Sequence, residues 1–74
     1  MTGKQELALQ IAAKAVRDWR EEEARAADGV AHSRSNALLC LRKAEKAGVS
    51  QSDLARACDW PRQRVHQLLN EIFH

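Results

Sequence analysis

Apolar residues recur at helical intervals in four separate stretches of the chain, and no stretch alternates in the manner of a β-strand. In the first stretch an apolar stripe runs from Leu7 to Trp19, and the positions beyond it are mostly charged. The stripe consists of Leu7, Ala8, Ile11, Ala12, Ala15, Val16 and Trp19. Thr2 and Gln5 have the spacing of a capping box at its start. Residues 1–28 are therefore predicted to form a long N-terminal helix.

Residues 29–35 contain glycine, histidine and serine without periodicity, and they are predicted to form a loop. Residues 36–74 carry the other three helical stretches and are predicted to form a three-helix core. The side chains expected to face this core from the second helix are Leu38, Leu39, Leu41 and Ala44. The whole chain, residues 1–74, is thus predicted to be a single all-α domain.

The last two helices are predicted to be joined by a very short turn. The third helix is expected over Gln51–Cys58 with Ser50 as its N-terminal cap, and the fourth from Pro61, because proline fits the first turn of a helix. The apolar positions of the fourth helix are Val65, Leu68, Leu69 and Ile72. Helices joined so closely need small or apolar side chains where their axes approach. Ala55 is expected at this crossing, against Val65.

Composition narrows the class of protein. With 74 residues the chain has room for one small domain, which excludes a two-domain enzyme. Alanine supplies 13 of the hydrophobic residues. Few large side chains are therefore left to form a hydrophobic core, and a binding partner is expected. The chain has no nucleophile–base pair, phosphate loop or HExxH spacing, so no enzymatic activity, cofactor or metal is expected. It has neither a membrane-spanning apolar run nor a secretory signal, so a cytoplasmic location is expected.

The cysteines and tryptophans are interpreted as structural. Cys40 and Cys58 belong to no metal-ligand spacing and are predicted to be buried, reduced thiols, with a disulfide or a metal site as the alternative. Trp60 is expected to plug the turn before the fourth helix, and the alternative is a platform on which bases stack. Trp19 is expected to pack within the fold or at a subunit contact.

The segment that starts at Ser50 carries a motif. It opens with Ser-Gln-Ser-Asp-Leu-Ala, places Val65 ten residues after Ala55, and places Leu68 three residues further on. Over about residues 50–73 the chain resembles the DNA-binding helix-turn-helix of bacterial and phage repressors. The resemblance implies that the last two helices of the three-helix core form a helix-turn-helix. The predicted fold is therefore a long N-terminal helix and a three-helix core that contains the helix-turn-helix, with no wing. The resemblance also implies sequence-specific binding of double-stranded DNA by a small transcriptional regulator.

The segment departs from the family pattern at two positions in the turn. Asp59 stands where the family usually has glycine, although aspartate tolerates the left-handed backbone conformation better than most residues. Pro61 stands where a capping serine or threonine is usual. Asp59 is therefore the expected cap of the fourth helix.

The resemblance implies which side chains contact DNA. Arg62, Gln63 and Gln67 would contact base edges, and Gln51 would bind a phosphate. In the major groove arginine forms paired hydrogen bonds with guanine, and glutamine or asparagine forms them with adenine. Asn70, on the same face, is therefore a further base-contact candidate. His66 could contact DNA or simply be solvated. The further phosphate candidates, chosen by charge and proximity, are Arg56, Arg64, Lys43 and Lys46.

Two questions stay open from the sequence. The net charge is only +2, and residues 49–74 carry three basic and three acidic side chains. This balance favours an alternative, a protein-interaction module that binds RNA polymerase or another regulator, although the polar fourth helix lacks the apolar groups typical of such a surface.

The stripe from Leu7 to Trp19 could cover its own core or form a homodimer that holds two recognition helices about 34 Å apart.

Overall fold

The structure, a computed structural model, describes residues 2–25 and 28–73, except for the side chains of residues 72 and 73. The described residues form four α-helices and no strand, so the all-α prediction is confirmed. The helices are α1 (Gly3–Arg25), α2 (Val30–Lys46), α3 (Gln51–Cys58) and α4 (Arg62–Phe73). None of them is both long and apolar enough to cross a membrane. The predicted inward position of Ile72 and the predicted course of the first helix through residues 26 and 27 lie outside what is described, and Asp28, the predicted last residue of that helix, lies in a turn.

The start of α1 is stabilised by the capping box. The backbone N–H of Thr2 donates to Gln5 Oε1 at 2.9 Å, and the backbone N–H of Gln5 donates to Thr2 Oγ1 at 3.3 Å. Gln5 Nε2 also donates to the backbone carbonyl of Ala47, 3.0 Å away. One side chain therefore caps α1 and ties it to the end of α2.

The predicted loop at residues 29–35 is wrong, because α2 already begins at Val30. The backbone N–H of Ser33 donates to the carbonyl of Gly29 at 2.9 Å, and the Ser33 hydroxyl donates to the Glu22 carboxylate. Arg34, one residue on, stacks over the Trp19 ring at 6.0 Å. These contacts with α1 outweigh the low helix propensity of the segment, since packing routinely overrides propensity.

The turns after α2 and α3 have the same hydrogen-bond pattern. After α2, Val49 N–H donates to Ala44 O at 3.1 Å and Gly48 N–H donates to Glu45 O at 3.0 Å. After α3, the N–H groups of the two residues that follow the helix donate to Arg56 O and Ala55 O in the same way. Both turns are Schellman motifs, which need a residue with positive φ where the chain leaves the helix.

Gly48 and Asp59 occupy those two positions, with φ of 102° and 57°. The predicted left-handed conformation of Asp59 is therefore confirmed. Its predicted role as the cap of α4 is wrong, since α4 starts at Arg62 directly after Pro61 and Asp59 terminates α3. The predicted N-terminal cap of α3 is confirmed, because Ser50 Oγ accepts a hydrogen bond from the backbone N–H of Asp53 at 3.1 Å.

Side chains from all four helices form one apolar core. Trp19 is 3% exposed and meets the half-buried Trp60 edge to face, with ring centroids 5.8 Å apart. Both tryptophans thus pack within the fold. The other buried residues of α1 are Ala12, Ala15 and Val16; those of α2 are Ala37, Leu38, Leu41 and Ala44; and Val49 lies between α2 and α3. From α3 and α4 come Leu54, Ala55, Cys58, Val65, Leu68 and Leu69.

Two residues predicted to be buried, Leu39 and Cys40, are partly exposed, and the α1 stripe, whose cover the sequence leaves open, is exposed in part. Leu39 is 52% exposed, because consecutive residues of a helix point in different directions and its neighbour Leu38 takes the inward position. Leu7 and Ile11 are 59% and 50% exposed, so the α1 stripe is only partly covered. Both cysteines are free thiols, but Cys40 is half-buried rather than buried.

Candidate nucleic-acid interface

The outward side of α4 carries all five side chains predicted to contact bases. Val65, Leu68 and Leu69 face the core, so the residues on the opposite side of α4 are turned to solvent. The five exposed side chains, defined here as the α4 face, are Arg62, Gln63, His66, Gln67 and Asn70. The helix is 12 residues long and therefore about 18 Å in length.

The first residue of α3 lies against this face. Gln51, Arg62, Gln63 and His66 line one surface depression, which opens between the start of α3 and the first turns of α4. A second depression continues along α4 and is lined by His66, Gln67, Asn70 and Glu71. The fold therefore brings Gln51, a predicted phosphate contact, next to three of the predicted base contacts.

A series of hydrogen bonds crosses from α2 through α3 to α4. Gln51 Nε2 donates to Glu45 Oε2 at 3.0 Å, and Gln51 Oε1 lies 3.3 Å from His66 Nδ1. His66 Nε2 in turn lies 2.9 Å from Asn70 Nδ2. At the other end, Arg42 donates to Glu45 Oε1 at 2.7 Å. We call Glu45, Gln51, His66 and Asn70 the polar chain.

Arg64 lies on the flank of α4 beside the α4 face. Its guanidinium is stacked over the Trp60 ring at 5.6 Å from the centroid, and the side chain is exposed. Arg64 and the half-buried Trp60 thus form a cation–π contact, and such a contact is worth about 0.5–1 kcal/mol at exposed sites.

The other predicted phosphate contacts lie on different surfaces. Lys43 and Lys46 are exposed in the last turn of α2, the helix whose Glu45 bonds to the start of α3. Arg56 is exposed on α3, 3.9 Å from Asp53, and lines a depression shared with α1. The structure does not bring Arg56 together with the α4 face.

Within α4 the one acidic residue is Glu71. Glu71, in the last turns of α4, lies 3.7 Å from Arg34 of α2, so its charge is partly compensated. Arg62 and Arg64 add positive charge at the start of the helix. The first two turns of α4 therefore carry two arginines and no acidic residue, and the Glu45 carboxylate, bonded to Gln51, lies beside them.

Sequence reasoning missed the polar chain. Its contacts between helices join residues six and fifteen positions apart, and no short spacing motif corresponds to them. Sequence reasoning identified Gln51, His66 and Asn70 only as separate candidates, and it assigned no function to Glu45. The sequence held one signal for this contact, because Glu45 follows Arg42 by three residues on α2, which is the spacing of an ion pair. The structure shows in addition that Glu45 is half-buried.

The described residues contain no group of three or more His, Cys, Asp or Glu side chains that could hold a metal ion. Comparison of the chain with protein-family models, with curated proteins and with solved structures finds no match. The function is therefore inferred from the residues and contacts of this chain.

Proposed function

We propose that this chain is a sequence-specific double-stranded DNA-binding protein, a small repressor-like transcriptional regulator of bacterial or phage type. In this proposal α3 and α4 act as a helix-turn-helix, and α4 is the recognition helix. The observation that carries the proposal is the α4 face, on which five exposed side chains with base-pairing chemistry lie on one side of a single helix.

The dimensions and chemistry of α4 fit the major groove of DNA. The groove is about 12 Å wide and admits an α-helix, and there arginine pairs with guanine while glutamine and asparagine pair with adenine. Arg62 and Gln63 project from the first turn of α4, and Gln67 follows one turn later. A helix that enters the groove by its N-terminal end would place these three side chains at base edges.

The start of α3 suits a phosphate. The N-terminus of a helix carries partial positive charge and N–H groups without helical partners. Gln51, the first residue of α3, uses one of its two side-chain N–H groups for Glu45 and keeps the second. Lys46 and Arg64 would extend the phosphate contacts on either side, and Arg56 and Lys43 would act only where DNA reaches past the α4 face.

A salt-dependent mobility-shift assay tests the proposal, after selection of a preferred site from a random duplex pool. Arg62→Ala should weaken binding to the preferred site by about 1–3 kcal/mol and leave random DNA less affected. Lys46→Ala should weaken all sequences equally and reduce the salt slope by about one. Arg17→Ala, which removes an exposed arginine of α1, is the matched control and should bind as the wild type does. No salt-sensitive binding by the wild-type chain would refute the proposal.

We further propose that the active form is a homodimer through α1, and the exposed part of the apolar stripe favours this. The stripe residues buried in the chain's own core are Ala12, Ala15, Val16 and Trp19, whereas Leu7 and Ile11 are exposed. Two α4 helices spaced by about 34 Å would read a palindromic site. Ile11→Glu should give a folded monomer that binds a half-site weakly, as followed by sedimentation. A wild-type chain that stays monomeric on DNA would contradict the dimer.

A second candidate function is a protein-interaction module that uses the same helices to bind RNA polymerase or another regulator. Its supporting observation is the exposure of Leu7, Ile11 and Leu39, three large apolar side chains that lie away from the α4 face. The mobility-shift assay separates the two functions, since this candidate requires no affinity for DNA.

A further inference from the structure

We propose that His66 is a positioning residue: through the polar chain it fixes the orientation of the Asn70 carboxamide, and so makes Asn70 a reader of adenine. This inference rests on the proposed DNA-binding function and identifies how one base would be chosen at that site. It follows from the direction of each hydrogen bond in the polar chain.

The direction is set at Glu45. A carboxylate can only accept, so the Gln51 atom that lies 3.0 Å from Glu45 Oε2 is the donor nitrogen Nε2. Arg42 binds the other oxygen of Glu45 and holds the carboxylate in place. The Gln51 carboxamide therefore turns its acceptor oxygen, Oε1, toward His66.

The next step selects the tautomer of His66. Because Gln51 Oε1 cannot donate, the nitrogen it faces, Nδ1, carries the hydrogen. In a neutral imidazole Nε2 is then an acceptor. The group 2.9 Å from Nε2 is Asn70 Nδ2, which donates to it.

The last step determines what Asn70 presents to a ligand. One of its two N–H groups is used by His66 Nε2, which leaves Oδ1 and the other N–H side by side on the exposed end of the carboxamide. This acceptor–donor pair matches the N6 amino group and N7 of adenine in the major groove. Guanine presents acceptors at both positions. A reversed carboxamide would set Oδ1 against the lone pair of Nε2, so the polar chain disfavours the reversed orientation.

The first measurement needs no DNA. The ¹⁵N shifts of the His66 ring report which nitrogen carries the hydrogen, and Nδ1–H is the expected tautomer in the wild-type protein. Gln51→Ala removes the acceptor for Nδ1–H, so the Nε2–H tautomer should gain population. A wild-type ring in the Nε2–H form overturns the inference.

The second measurement is base preference, read from selection out of a random duplex pool. Asn70→Ala identifies the position in the site that Asn70 reads. His66→Ala should lose the adenine preference at that same position, by on the order of tenfold, and leave the other positions unchanged. His66→Gln should retain the preference, because glutamine can accept from Asn70 and donate to Gln51 as the histidine does. Gln67→Ala, the control, should change a different position.

The outcomes distinguish the two proposals. If His66→Ala keeps full adenine preference at the position that Asn70→Ala abolishes, His66 does not position Asn70. If Asn70→Ala changes no position while Arg62→Ala does, the inference is wrong and the DNA-binding proposal stands. If the wild-type chain selects no sequence, the DNA-binding proposal fails and this inference fails with it. Loss of preference in both the Ala and Gln variants of His66 would also overturn the mechanism.

Discussion

Replacement of Gly48 by alanine should destabilise the protein through two separate effects. Gly48 has φ of 102°, a backbone conformation that residues with a Cβ rarely adopt. A Cβ built there would also lie 2.5 Å from Gln5 Nε2, the atom that donates to Ala47 O. The substitution therefore strains the turn after α2 and displaces the side chain that ties α1 to it.

The expected size follows from these two effects. A left-handed conformation costs a residue with a Cβ about 1–2 kcal/mol, and loss of the Gln5 hydrogen bond adds about 0.5–1.5 kcal/mol. The lower conformational freedom of the unfolded alanine chain offsets about 0.4–1 kcal/mol. The net loss in the free energy of unfolding should be about 1–3 kcal/mol, which for a domain of this size lowers Tm on the order of 10 °C.

Thermal and urea unfolding followed by circular dichroism measure this loss. Gly3→Ala is the matched control, because a Cβ at Gly3 meets nothing within 4 Å and the residue lies in the first turn of α1. Comparison of Gln5→Ala with the Gln5→Ala/Gly48→Ala double variant isolates the backbone strain. Equal stability of the Gly48→Ala and Gly3→Ala variants would refute the reasoning.

Three further changes test other parts of the fold. Ala55→Leu should cost about 1–3 kcal/mol, because Ala55 is 4% exposed in the core and is predicted to lie where α3 and α4 cross, and an unchanged Tm would contradict that prediction. Asp59→Gly should raise the free energy of unfolding by about 0.5–1 kcal/mol by relieving the positive φ, as urea unfolding should show; no gain beyond that of Asp59→Asn would argue against relief of strain. Burial raises the pKa of the Cys58 thiol, an effect only partly countered by the Arg20 guanidinium, so its reactive thiolate is scarce in the folded state. Iodoacetamide should label the half-buried Cys40 first, as mass spectrometry would show, and equal labelling rates would contradict this.

The elements that sequence reasoning predicted well are those built from local contacts. The bounds of α3 and its Ser50 cap depend on atoms within a few residues of one another. The capping box of Thr2 and Gln5 spans three positions. The left-handed conformation of Asp59 was suggested by the glycine usual at that place in the family that the segment resembles, and the hydrogen bonds around it are local. Helical spacing likewise identified the outward residues of α4, because that helix has one clear apolar side.

The errors arose where several arrangements satisfy the same spacing. The run Leu38-Leu39-Cys40-Leu41 contains more apolar residues than one helix face can bury, and the periodicity does not say which is left out. Residues 30–35 lack local helix signals, and their helix depends on contacts with α1. The α1 stripe is wider than the core that covers it, so Leu7 and Ile11 remain exposed.

By itself the sequence determined the helical class, the ends of α3 and the polar character of the α4 face, since these depend on periodicity and on capping over three or four residues. The tertiary structure alone decided the start of α2, the edge-to-face contact of Trp19 with Trp60, and the meeting of Gln51 with His66. These features join side chains from different helices. Their energies depend on how the helices pack, which no local spacing in the chain encodes.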